Sequence, residues 1–201
     1  MKDYLPLIEE ALDRYSGSFD LPELFLRSMR YSLLSGGKRI RACLCLACCE
    51  LVGGKAEDAL PFAAALEMVH AYSLIHDDLP AMDDDDMRRG KPSNHKAFGE
   101  GNAILAGDGL LTMAMRLLAD VPGQEDAKRA IFQGALDMAA GQSLDLNVTA
   151  RDRTSLQRIH DLKTGALFRA PACPEPTGAA AAKRRRSASA SLRTSWGSCS
   201  R

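Results

Sequence analysis

The sequence predicts an all-α fold, on three observations. Apolar residues recur at helical spacing through residues 1–170, Gly and Pro pairs punctuate the chain where one apolar run gives way to the next, and strand signals are few. Long helices with short connectors describe a helical bundle around one core. The 201 residues, 46% of them hydrophobic, suffice for a single such domain.

The opening stretch, MKDYLPLIEEALDRY, carries acids where a secretion signal needs an apolar run, and no apolar run reaches spanning length. A cytoplasmic location without membrane insertion is expected. Asp20-Leu21-Pro22-Glu23 has the form of a capping box. The helix it would open presents Phe25, Met29 and Leu33 on one face and stops at Gly36-Gly37. Another runs from about Ile40 to Val52 and stops at Gly53-Gly54. Four of the six cysteines crowd into its ACLCLACC segment. Cys45 and Cys48 form a lone C-x-x-C with no second pair to complete a zinc site, so they read as small apolar core residues.

From Ala59 to Ile75 the apolar residues go nearly all round, marking a buried helix. Residues from about Gly101 to Ala119 mix Ala and Gly with Leu, Ile and Met, which suits close helix contacts. Gln124 to about Leu146 continues helical, and Thr154-Ser155-Leu156-Gln157 reads as the capping box of one more. From Pro171 the character changes. Residues 171–201 hold seven Ala, six Ser and three Pro, with one Lys and five Arg against one Glu. That net +5 leaves −5 for residues 1–170 of a chain that is neutral overall.

Chemistry concentrates in HDDLPAMDDDDMRRGK, His76 to Lys91, where six of the ten residues from Asp77 to Asp86 are acids. Asp77 and Asp78 emerge from apolar surroundings, where unpaired carboxylates are costly. A divalent cation resolves this, and clustered oxygen ligands suit Mg²⁺ bridging to a phosphate. Asp78 and Asp83 are five residues apart, about 140° around an ideal helix, so they share an ion only if Pro80 breaks the helix between them. Arg88, Arg89 and Lys91 then read as partners for phosphate oxygens. A calcium loop fails, because its obligatory sixth-position Gly is Arg88 here, and the alternative is a solvated acidic loop.

Three further features favour the phosphate reading. GGKRIR puts Lys38, Arg39 and Arg41 at a helix start, where free N–H groups favour anions. His70 lies one or two turns before Asp77, although a lone histidine there is more often a core residue. Lys163-Thr164-Gly165 sets a cation and a hydroxyl in an otherwise apolar helix.

Together with FGEGNAILAGDGLL, GQSLDL and HDLKTGALFRA, these motifs resemble the short-chain trans-isoprenyl diphosphate synthases, bacterial farnesyl-type members in particular, over about residues 1–170. The resemblance implies an isoprenoid-synthase helical bundle around a deep apolar cavity, homodimeric at full length. It implies Asp77, Asp78 and Asp83 as holders of Mg²⁺ gripping an allylic diphosphate, with Arg88 on that diphosphate. Lys38, Arg41, His70 and Arg89 would hold isopentenyl diphosphate, and Lys163 and Thr164 would flank the ionising C–O bond. Tyr72 would form the floor that limits product length to C15 rather than C20.

The family carries a second aspartate-rich motif, and no acid follows Glu175 here. Read from the third base of each codon, Trp196-Gly197 requires a GGG glycine codon between apolar flanks, and the codons after it permit Phe-Gln. That is the family's pattern ahead of its second motif. Residues 171–201 are therefore expected to be an off-frame tail on the amino-terminal portion of a prenyltransferase, with little or no turnover. The rival expectations are a basic tail binding nucleic acid through KRRRSAS, a non-catalytic Mg²⁺ and diphosphate binder, a subunit completed by a partner, and a geranylgeranyl-type product.

Overall fold

The computed structural model describes residues 3–147 and 152–169, and the expected off-frame tail lies outside them. Helices run in sequence as α1 (Leu5–Gly17), α2 (Glu23–Leu33), α3 (Ile40–Leu51), α4 (Leu60–Asp77), α5 (Asn94–Phe98), α6 (Glu100–Ala119), α7 (Glu125–Asn147), α8 (Arg153–His160) and α9 (Ala166–Arg169). A 3₁₀ turn, Ala56–Ala59, leads into α4, and a π turn, Asp161–Gly165, joins α8 to α9 without a break. The all-α expectation therefore holds. The exception is a small hairpin, β1 (Met87–Arg88) with β2 (Lys91–Pro92), antiparallel with Arg88 opposite Lys91.

Helix α4 is the centre of the bundle. Every residue from Phe62 to Val69 is buried, as its all-round apolar sequence predicts. It packs most extensively on α6, which offers Ala103, Ala106, Gly107, Leu110 and Ala114 as buried contacts. Small side chains let the two backbones approach closely, and His76 Nε2 lies 3.0 Å from the Ile104 carbonyl across that seam. Cys45 and Cys49 lie in the core, and among the described residues no cysteine joins a group that could hold a metal. No helix of the described residues is long and apolar enough to cross a membrane.

Both expected capping boxes are corrected. Helix α2 starts at Glu23 with Pro22 as its cap and no side-chain bond. Had Asp20 been the cap, Leu21 would need helical backbone, which the following proline disfavours. Helix α8 is capped by Asp152, whose carboxylate accepts from the Ser155 N–H, so Thr154 lies inside the helix rather than ahead of it.

The hairpin is set by its turn and by α2. Arg89 and Gly90 both have positive φ, 53° and 77°, the signature of the two-residue turn whose twist matches antiparallel strands. Tyr31 donates to the Pro92 carbonyl at 2.8 Å. Asn94 is buried, accepts from Ser28 Oγ at 2.9 Å and donates to Ser28 O and Ser32 Oγ at 2.8 Å each. These contacts fix where Arg88 and Arg89 can point.

Candidate functional site

A cavity of about 430 Å³ opens between the C-terminal half of α4 and the facing stretch of α7. Its lining combines the charged and polar groups of Arg41, His70, Asp77, Lys163 and Thr164 with apolar surface from Tyr72, Leu74 and Met138. Six of the residues singled out in the sequence thus meet at one cavity: Arg41, His70, Tyr72, Asp77, Lys163 and Thr164.

The break at Pro80 occurs as required. Helix α4 ends at Asp77, and the chain turns back so that the Asp83 N–H donates to the Asp77 carbonyl at 2.9 Å. Burial raises the Asp77 carboxyl above the usual carboxylate range; Lys163 pulls it down while Asp83 and Asp78 push it up. Asp77 is half-buried and Asp83 exposed, and a carboxylate whose charged form burial disfavours gains from a divalent cation, for which oxygen donors of this kind are suited.

Asp78 is placed differently from its neighbours. It is buried, and both of its oxygens are engaged by Arg88, whose Nε lies 3.0 and 3.2 Å away and whose Nη2 also donates. Arg88 reaches Asp85 as well, at 3.3 Å. Asp78, expected as a third metal ligand, therefore acts in this structure as the anchor of Arg88.

The GGKRIR loop divides its cations three ways. Lys38 is exposed. Arg39, with φ +46° at the start of α3, is buried between Glu9 (2.8 Å) and Glu67 (3.3 Å) and donates to the Leu33 carbonyl at 2.8 Å. Arg41 points to the cavity, its guanidinium 4.5 Å from the Phe168 ring centre and its Nε buried without a hydrogen-bond partner. Such an orphaned donor fits an anionic ligand. Arg89 connects the two motifs: it donates to Gly36 O and, at 3.3 Å, to Ser35 Oγ. Its guanidinium lies so close over Gly37 (φ +133°) that a Cβ there would sit 3.0 Å from it.

His70 stands where these cations converge. Burial, reinforced by Arg41, Arg89, Arg39 and Arg88, pushes its pKa down to about 3, so it is neutral at pH 7. An unfolded histidine titrates near 6.5, so the unfolded chain takes up the proton first as pH falls. Stability held above about pH 6.5 is thus lost progressively toward pH 3, by up to about 1.4 kcal/mol per pH unit. Urea unfolding of the wild type and of His70→Asn between pH 6.5 and 4 should show this steeper slope in the wild type. Parallel curves would show that His70 carries no such linkage.

Lys163 occupies the π turn and donates to Asp145 Oδ2 at 2.9 Å across to α7. Gly141 allows this approach, since a Cβ there would lie 2.3 Å from the Lys163 nitrogen and 2.8 Å from the Leu162 carbonyl carbon. Sequence reasoning assigns no role to Asp145, Gln142, Met138 or Phe168. The first two stand in GQSLDL, and the fixed spacing of that motif is the signal that points to them.

A sequence profile described as polyprenyl synthetase matches residues 22–193. A farnesyl diphosphate synthase of Bacillus subtilis is 43% identical over 84% of this chain and 60% of its own length. The large subunit 1 of a heterodimeric chloroplastic geranylgeranyl pyrophosphate synthase of Arabidopsis thaliana is 49% identical over 83% of this chain and 48% of its own. The crystal structure of a geranyltransferase from Legionella pneumophila superposes with a TM-score of 0.80 at 39% identity, covering 85% of this chain and 64% of that one. The chain thus spans roughly half to three fifths of the curated relatives it matches.

Proposed function

The chain belongs to the polyprenyl synthetase family, and from that premise we propose that it serves the condensation of isopentenyl diphosphate with an allylic diphosphate, dimethylallyl or geranyl. The observation that supports this reading most is the cavity itself, whose lining joins Arg41, His70, Asp77 and Lys163 to apolar side chains such as Leu74, Met82 and Met138. A ligand that carries both an anionic group and a hydrocarbon tail matches that mixed lining.

Asp77 and Asp83 are the residues that would hold Mg²⁺, which supplies the positive charge that favours departure of pyrophosphate. Lys163, steadied by Asp145, and Thr164 would lie beside the breaking C–O bond. Arg88, fixed by Asp78, would take the allylic diphosphate. Arg41, His70, Arg89 and the exposed Lys38 would receive isopentenyl diphosphate, whose double bond attacks the allylic carbon as the C–O electron pair leaves with pyrophosphate. The cation so formed then gives up a proton to the departed pyrophosphate, which restores a double bond. Apolar side chains around the tail would keep water from that carbon.

Binding is the part of this function expected of the described residues by themselves. Calorimetry of the purified chain with geranyl diphosphate should show heat in Mg²⁺ and none in EDTA, with Asp77→Asn abolishing it. Binding that is absent, or indifferent to both Mg²⁺ and Asp77, would overturn the reading.

The buried Tyr72 at the cavity favours a C15 product, while the similarity to a geranylgeranyl-type relative favours C20. Tyr72→Ala opens depth for additional isoprene carbons, each buried CH₂ being worth about 0.8 kcal/mol. In competition binding, the variant should shift its preference from geranyl toward farnesyl diphosphate by roughly tenfold or more. An unchanged ratio would remove Tyr72 from control of product length.

A further inference from the structure

The acidic run holds more carboxylates than diphosphate binding uses. Asp77 and Asp83 are the ones assigned above to the proposed diphosphate, Asp78 holds Arg88, and Asp85 lies 3.3 Å from the same arginine. Asp84 and Asp86 remain, and the fold takes them elsewhere. The hairpin returns the chain so that the Ser93 N–H donates to the Asp86 carbonyl at 2.9 Å, and α5 then begins. One carboxylate oxygen each from Asp84 and Asp86 and one ring nitrogen of His95 all lie within 4.8 Å of one another.

His95 supplies the independent observation. It is 6% exposed, its Nδ1 lies 3.1 Å from Ser93 Oγ, and its Nε2 is buried without any hydrogen-bond partner. A buried ring nitrogen without a partner is costly for a purely structural histidine. A hydrogen bond at the opposite ring nitrogen orients a metal-binding imidazole, and the Ser93 hydroxyl is placed to make one here. The acids are exposed, so their rotamers are free to close on an ion. Ligand atoms around a tetrahedral ion at ~2.0–2.2 Å sit roughly 3.4 Å apart, so a closure of about 1 Å suffices. Lys96 Nζ now sits 2.7 Å from Asp86 Oδ1, but both are well exposed, and an exposed pair of this kind contributes little. A divalent ion displaces it readily.

We propose that Asp84, Asp86 and His95 form a second divalent-cation site, separate from the one at Asp77 and Asp83, that selects a first-row transition ion over Mg²⁺. One imidazole with two carboxylates and open positions suits Zn²⁺, Co²⁺ or Mn²⁺, whereas Mg²⁺ rarely accepts nitrogen. The hairpin joins this site to Arg88 and Arg89, so occupancy would stiffen the segment that presents them.

The test is Co²⁺ titration of the full 201-residue chain in excess Mg²⁺, followed by visible absorption. One equivalent should bind, with ligand-field bands and no sulfur-to-cobalt charge-transfer band. The Asp84→Asn/Asp86→Asn variant, altered only at exposed positions, should lose that equivalent, and Ser93→Ala should weaken it roughly 10- to 100-fold. Asp77→Asn/Asp83→Asn should keep it, which separates this result from failure of the prenyl diphosphate reading. The proposal is overturned if no Co²⁺ competes with Mg²⁺, if Asp84→Asn/Asp86→Asn binds normally, if Asp77→Asn/Asp83→Asn abolishes binding, or if the spectrum reports cysteine ligation.

Discussion

Arg39→Met should lower the stability of this fold by about 3–5 kcal/mol, the cost of breaking a buried ion pair by removing one partner. Arg39 and Glu67 have side chains only 2% and 3% exposed, so the substitution leaves Glu67 charged in the core with its guanidinium gone. The Ala42 N–H contact to Glu67 is long, at 3.4 Å, and Arg41 and Arg89 act on that carboxylate electrostatically without replacing the paired guanidinium. Denaturant unfolding measures the loss. Lys38→Met, one residue away but exposed, should change stability by less than about 0.5 kcal/mol. Equal effects from the two substitutions would mean that Arg39 is not a buried clamp.

The second large effect is expected at Gly141. A Cβ there meets the backbone of Leu162 and Lys163, which cannot rotate aside as a side-chain tip can. Gly141→Ala should therefore cost about 1–3 kcal/mol or more by overpacking. It should also reduce Mg²⁺-dependent geranyl diphosphate binding by at least about tenfold, because the π turn carrying Lys163 must move. Gly101, near the start of α6, has nothing within 4 Å of where a methyl group would stand, so Gly101→Ala should stabilise by about 0.5–1 kcal/mol. The two substitutions thus differ in sign, and thermal unfolding separates them. A Gly141→Ala chain that melts and binds like wild type would show that the Lys163 backbone does not depend on this approach.

Much of the bundle is legible in the sequence because helix signals are local. The apolar run of α4 and the Gly pairs after α2 and α3 place those helices to within a few residues. The capping boxes fail because the backbone preference of Leu21 before Pro22, and the competing cap at Asp152, outweigh the motif. The hairpin escapes sequence reasoning because strands of two residues have no periodicity to read. In the site, residue types are legible and their allegiances are not. Lys38, Arg39 and Arg41 look alike in sequence, yet one is exposed, one is buried in a carboxylate clamp and one faces the cavity. That division depends on the left-handed backbone of Arg39 and on partners at Glu9 and Glu67, which lie far away in the chain. Asp78 and Arg88 likewise read as two ligand-binding groups, and their bond to each other depends on the fold-back after α4.

The π turn between α8 and α9 also determines the direction in which the chain faces after it. A turn of this kind holds one residue more than its α-helical equivalent, so each later side chain is rotated by roughly 100° from where an unbroken helix would put it. Phe168 lies beneath the Arg41 guanidinium only in that rotated setting. Deleting a single residue from Asp161–Gly165 would leave the composition of the helix almost untouched and still swing Phe168 away from the Arg41 guanidinium. In this part of the chain the count of residues is a structural parameter in its own right, and a one-residue change in length acts as a rotation.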